Sequence, residues 1–104
     1  MNDTSSETPA STNQNSATRD FVIINKKGVH ARATAKFVQC CEKYDAVITV
    51  SKDGDTVGGS SIMGILTLGA GIGSTVTVSA TGPQALEALD ALEALISNRF
   101  GEEE

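Results

Sequence analysis

Gly28-Val29-His30-Ala31-Arg32-Ala33-Thr34-Ala35-Lys36-Phe37 is the stretch on which the reading of this chain turns, and it holds the only histidine. A β-prone run, residues 21–24, precedes it. From Ala31 onward the residues are good helix formers with an apolar face. His30 is therefore expected where a strand hands over to a helix, at the helix's N-terminal end. The first amides of a helix have no partner within it and sit at the positive pole of its dipole, so this end attracts anions. Arg32 adds a forked guanidinium that matches phosphate oxygens. Imidazole, guanidinium and free amides together can take up a phosphoryl group. A lone histidine at a helix start is more often an ordinary surface or capping residue, so the rest of the chain must decide.

Working outward, residues 20–25 read as a short first strand with apolar side chains on both sides of the alternation. The first helix is expected over 31–43, with Thr34, Phe37, Val38 and Cys41 recurring at helical spacing as its core face. Val47-Ile48-Thr49-Val50-Ser51 is β-branched and nearly alternating. Asp53-Gly54 supplies the positive φ angles of a tight hairpin, and Thr56-Val57 returns as a third strand. Ser61 is a favoured N-cap and opens a short second helix closing near Leu68-Gly69. That helix is apolar nearly all round. Ile65 and Leu68 can face a core, whereas Ile62, Met63 and Leu66 cannot all be buried by one small sheet, which points to a partner surface unless loop 70–74 folds over them. Residues 75–80 alternate as a fourth strand. Pro83 suits the first turn of a last helix capped by Thr81 or Gly82, with Leu86, Leu89, Leu92 and Ile96 as its stripe and Arg99 near its end. The order β-α-β-β-α-β-α with an antiparallel hairpin is most economically an α+β fold. It is expected as a two-layer open-faced sandwich, a four-stranded antiparallel sheet with three helices on one face and Thr and Ser on the wet face.

At 104 residues there is room for one domain. Residues 1–18 are polar, lack the basic and apolar regions of a signal peptide, and are expected as a disordered tail. The domain is then expected over 19–100, and the acidic end, 101–104, is expected to be frayed and solvated. Thirteen acidic residues against eight basic ones disfavour nucleic acid and anionic membranes as partners. Adjacent Cys40 and Cys41 have no zinc or redox spacing and are read as structural thiols of a reduced, cytoplasmic protein. No P-loop, metal-ligand cluster or second acid–base motif is present, so neither cofactor nor metal is expected and a standalone enzyme is disfavoured.

Two blocks then stand in order, Gly28-Val29-His30-Ala31-Arg32 opening one helix and Ser61-Ile62-Met63-Gly64 with Leu68-Gly69 bounding another. The chain from about Asp20 to the last helix resembles the HPr family, the histidine phosphocarriers of the bacterial phosphoenolpyruvate-dependent phosphotransferase system. The resemblance implies that His30 is phosphorylated on Nδ1 by phospho-enzyme I and that Arg32 stabilises the phosphoryl group. It implies that Ser61 is the serine modified by an HPr kinase/phosphorylase in many members. Ile62, Met63, Leu66 and Leu68 would form the apolar surface that docks on enzyme I and on IIA-type acceptor domains in sugar transfer. A monomer is expected. The family usually has proline after the arginine, where this chain has Ala33, and often lysine before the serine, where it has Ser60. Ala33 keeps a carrier of the nitrogen-related branch, which moves no sugar, as an alternative. A non-covalent interaction domain, in which His30 could be replaced without consequence, is the other.

Overall fold

The computed structural model describes residues 15–104. The backbone runs β1 (Asn15–Val22), α1 (Ala31–Glu42), β2 (Val47–Lys52), β3 (Asp55–Gly58), α2 (Ile62–Leu68), β4 (Thr75–Gly82) and α3 (Ala85–Ser97), and ends in a 3-10 turn at Arg99–Gly101. The strands form one antiparallel sheet in the order β1-β4-β2-β3. This is the expected open-faced α+β sandwich.

Strand alternation creates the two layers. Val76, Val78 and Ala80 of β4 point into the core beside Ile48 and Val50 of β2 and Phe21 of β1. Helices supply Ala33, Phe37, Val38 and Cys41 from α1, and Ala85, Ala88, Leu89, Leu92 and Ile96 from α3. The opposite sheet face carries polar cross-strand pairs. Thr18 meets Ser79 at 2.9 Å, Thr77 donates to Asp20 at 2.7 Å, and Ser51 meets Thr56 at 2.7 Å. Such cross-strand pairs stabilise a solvated sheet surface. Asp53 and Gly54 take φ of 52° and 88°, the hairpin geometry expected of that pair. Cys40 and Cys41 are free thiols, and burial pushes Cys41 up to about 12, so it is a core side chain rather than a reactive one.

The first strand departs from expectation. It spans Asn15–Val22 rather than 20–25, so residues 15–18 of the expected tail lie in the sheet. Their polarity belongs to an edge strand, whose Ser16, Thr18 and Asp20 meet the hydroxyls of β4 while Phe21 and Ile23 turn inward. Residues 1–14, on which the rest of that expectation falls, lie outside the described residues. Arg19, on the inner side of the same edge, reaches across to Asp90 and Glu93 of α3 at 2.8 and 2.9 Å.

The last helix also starts later than expected. Gly82 ends β4 at φ +139°, where a Cβ would lie 2.9 Å from the Asp45 carbonyl oxygen. Gln84 is drawn sideways onto the same residue, donating its N–H to the Asp45 oxygen and accepting the Asp45 N–H on Oε1. The helix therefore begins at Ala85 with no side-chain cap, and Arg99 falls beyond it in the 3-10 turn. Leu86 is half exposed rather than part of the buried stripe, which runs through 85, 88, 89, 92 and 96.

The acidic end is docked, not frayed. Arg99, Phe100 and Gly101 all have positive φ, 54°, 55° and 79°. Two of these are L residues in a conformation that costs each about 1–2 kcal/mol. Burial of the Phe100 ring, which is 1% exposed, and the bond from Lys36 Nζ to the Phe100 oxygen hold the turn. Beyond it the Lys26 N–H donates to the main-chain oxygen of Glu104, and the Lys26 ammonium lies 3.5 Å from the Glu104 carboxylate.

Phe100→Ala removes the ring that offsets this strain and is expected to lower stability by about 3–5 kcal/mol, read from urea unfolding. Gly28→Ala is expected to cost more than about 2 kcal/mol in the same assay, because Gly28 has φ +68° and a Cβ there would sit 2.6 Å from the Ala70 oxygen.

Candidate functional site

Three local devices position the candidate residues His30, Arg32 and Ser61. The first is the turn at residues 25–28. The Gly28 N–H donates to the Asn25 carbonyl oxygen at 3.1 Å, and Asn25 Nδ2 donates back to the Gly28 carbonyl oxygen at 2.7 Å. The positive φ of Gly28 then aims Val29 so that its N–H reaches the Ala70 oxygen at 2.8 Å. The loop before α1 is thereby fastened to the loop that follows α2.

The second device is the start of α1. His30 is its N-cap, with extended backbone at φ −86° and ψ −173°. Its carbonyl oxygen accepts the first helical bond, from Thr34 N–H at 2.8 Å. Its ring Nδ1 accepts the Arg32 N–H at 3.3 Å, so the imidazole takes the place that Ser or Asp usually fills at a cap. An Nδ1 that accepts carries no proton, which puts the proton of a neutral ring on Nε2. The ring is half-buried, Arg32 is exposed, and Ala33 is buried in the first turn, where it preserves the helix start without proline.

The third device is α2. Ser61 caps it by accepting the Gly64 N–H on Oγ at 3.0 Å, and Gly69 closes it at φ +64°. Gly64 is required by close approach, since a Cβ would lie 2.7 Å from Ser61 Oγ and 2.9 Å from Val57 Cβ. Ile65 is buried, Leu66 and Leu68 are half-buried, and Ile62 and Met63 are 47% and 70% exposed. Ile72 is 61% exposed in the loop after α2, so this loop adds to the apolar surface instead of covering it.

Two residues of the site escaped the sequence reading. Glu102 places Oε2 on His30 Nε2 and accepts Asn25 Nδ2 on Oε1 at 3.0 Å. The bond from Asn25, then that from His30, holds its carboxyl below the usual carboxylate range. Asn25 is fully buried, and both its amide hydrogens are taken by oxygens, which settles its orientation. The available signal was Asn98-Arg99-Phe100-Gly101, a lone aromatic and a glycine just past a helix, which is the pattern of a chain end pinned back onto the core. Among the described residues no group of His, Cys, Asp and Glu is arranged to hold a metal ion, and no helix is long and apolar enough to cross a membrane.

Comparison with known proteins places the chain in a family. A family model described as PTS HPr component phosphorylation site matches residues 17–98. The Phosphocarrier protein HPr of Cupriavidus necator is 54% identical over 86 residues, covering 83% of this chain and 97% of that protein. A crystal structure of HPr from Thermoanaerobacter tengcongensis superposes with a TM-score of 0.81 at 44% identity, covering 85% of this chain and 99% of that one. A phosphocarrier HPr from Bacillus anthracis gives a TM-score of 0.75 at 41% identity over 78% of this chain and 96% of that one. A match that runs nearly the whole length of each relative, through both the histidine-capped helix and the serine-capped one, leaves a single conclusion: this chain belongs to the HPr family, the phosphocarriers of the phosphotransferase system.

Proposed function

We propose that the protein takes a phosphoryl group from phospho-enzyme I onto His30 Nδ1 and passes it to a IIA-type acceptor domain in sugar phosphotransfer, in the cytoplasm and as a monomer. The observation that carries this reading is the direction of the ring. Nδ1, the nitrogen with the free electron pair, faces the Arg32 amide at the start of α1. An incoming phosphoryl group can exchange that one amide bond for contacts between its oxygens and the first-turn amides. Arg32 is exposed, and among the described residues no carboxylate pairs with it. Its guanidinium is thus available to spread charge as the phosphoryl group moves in line between donor and acceptor. Imidazole suits a carrier because its ring nitrogen is nucleophilic at neutral pH and the resulting N–P bond remains reactive.

Docking is assigned to Ile62 and Met63 with Leu66 and Leu68, whose helix ends at the loop that grips Val29. Such a surface supplies alignment, which is most of what phosphoryl transfer asks of a protein. Ser61 is the proposed regulatory position, modified by an HPr kinase/phosphorylase. Its exposed Oγ already sits at a helix start, where added negative charge is tolerated, yet it adjoins the apolar patch that charge would spoil.

Incubation with enzyme I and labelled phosphoenolpyruvate is expected to leave acid-labile, base-stable label on the wild type and none on His30→Ala; equal labelling of the two would refute the carrier reading. Ser61→Asp is expected to slow phosphorylation at low enzyme I concentration while the melting temperature barely moves, and unchanged rates would remove Ser61 from regulation. Ser61→Ala, which loses the cap on α2, is expected to cost about 1 kcal/mol of stability without slowing transfer.

A further inference from the structure

We infer that Glu102 is a positioning residue for His30: its carboxylate, held by buried Asn25, receives the Nε2–H of the ring and so keeps the Nδ1 electron pair turned toward the start of α1. The inference rests on the carrier reading for its purpose, and on contacts of this chain alone for its geometry. The two oxygens of Glu102 have separate partners, Asn25 Nδ2 on Oε1 and His30 Nε2 on Oε2. Asn25 cannot turn over, because its second amide hydrogen is on the Gly28 oxygen and a flipped amide would set Oδ1 against two oxygens. The backbone on either side of Glu102 is also tied. Lys36 holds the Phe100 oxygen before it, and the Lys26 N–H holds Glu104 after it.

A carboxylate on one nitrogen of an imidazole selects the tautomer and directs the other nitrogen, the role of the buried aspartate in hydrolytic triads. Here the Nδ1 electron pair attacks phosphorus, a P–N bond forms, and the donor's bond to phosphorus breaks with its pair returning to the donor. The ring becomes cationic with its Nε2 proton in place, and the charge lies against Glu102. Transfer onward breaks the P–Nδ1 bond and returns the pair to Nδ1. No proton has to leave or enter in either direction, so one carboxylate serves both loading and unloading.

The test exploits the donor on Asn25. In Glu102→Gln, the side chain must turn its amide oxygen to Asn25, which offers only N–H, and its NH2 to His30 Nε2. That arrangement favours the tautomer with the proton on Nδ1. In Glu102→Ala the ring is released and is not forced. The expected order of phosphorylation rates by enzyme I is therefore wild type, then E102A, then E102Q, with E102Q at least about tenfold below wild type. A purely structural role predicts the opposite order, since glutamine is the closer isostere.

Nitrogen-15 NMR of the unphosphorylated full chain, at a pH about two units above the ordinary histidine value, reads the tautomer directly. Wild type is expected with the proton on Nε2, E102A as a mixture and E102Q with the proton on Nδ1, all three melting cooperatively. An E102Q ring that keeps its proton on Nε2, or an E102Q protein phosphorylated as fast as E102A, overturns the assignment. A tautomer change in E102Q combined with no labelling of wild type would sink the carrier reading and leave the Glu102 contact standing.

Discussion

The closeness of Gly28 to the chain at Ala70 and Gly71 is the constraint on which the arrangement around His30 depends. A Cβ at Gly28 would lie 2.6 Å from one backbone atom and 2.8 Å from another, so the two loops touch main chain to main chain. Only glycine allows that approach, and only glycine adopts the accompanying φ of +68° without strain. The contact sets Val29 N–H on the Ala70 oxygen and fixes where α1 begins relative to where α2 ends. A histidine on one helix and an apolar surface on another thereby share one rigid frame. Joining the two through backbone rather than through side chains leaves little play between them.

On that frame His30 is held from two sides by opposite kinds of partner. The Arg32 amide donates to Nδ1, and the Glu102 carboxylate stands at Nε2. Neither partner alone fixes the ring, because an amide at 3.3 Å is a weak tether and a carboxylate could be met by either nitrogen of a rotated imidazole. Together they leave one orientation. The arrangement is economical for a carrier, which must be reset by each transfer without any rearrangement of its own.

How far all this was legible in the sequence depends on how far apart the partners are. Local signals read true: Asp53-Gly54 made the hairpin, Ser61 capped α2 through Gly64, and the spacing of Phe37, Val38 and Cys41 gave the buried face of α1. The start of the first strand was missed because Ser16 and Thr18 look like coil until β4 is known to offer them hydroxyl partners some sixty positions away. The contact of Glu102 with His30 was missed for the same reason. A run of three glutamates at a chain end looks solvated, and nothing near it in sequence reveals a histidine 72 positions earlier. Exposure of Leu86 and Ile72 was a matter of angle about a helix and of loop path, which spacing alone does not supply.

The turn at Arg99–Gly101 ties the orientation of the His30 ring to the tightness of the interior. Three successive left-handed residues are a wound segment, fastened by the Lys36 bond to the Phe100 oxygen and by the Phe100 ring seated with Ile23, Val29, Phe37 and Ile96. Anything that loosens this seat lets the segment unwind, carrying the carboxylate off His30 while the β-ladder remains paired. On warming, the histidine would then lose its orientation as an early, reversible event, well before the sheet gives way.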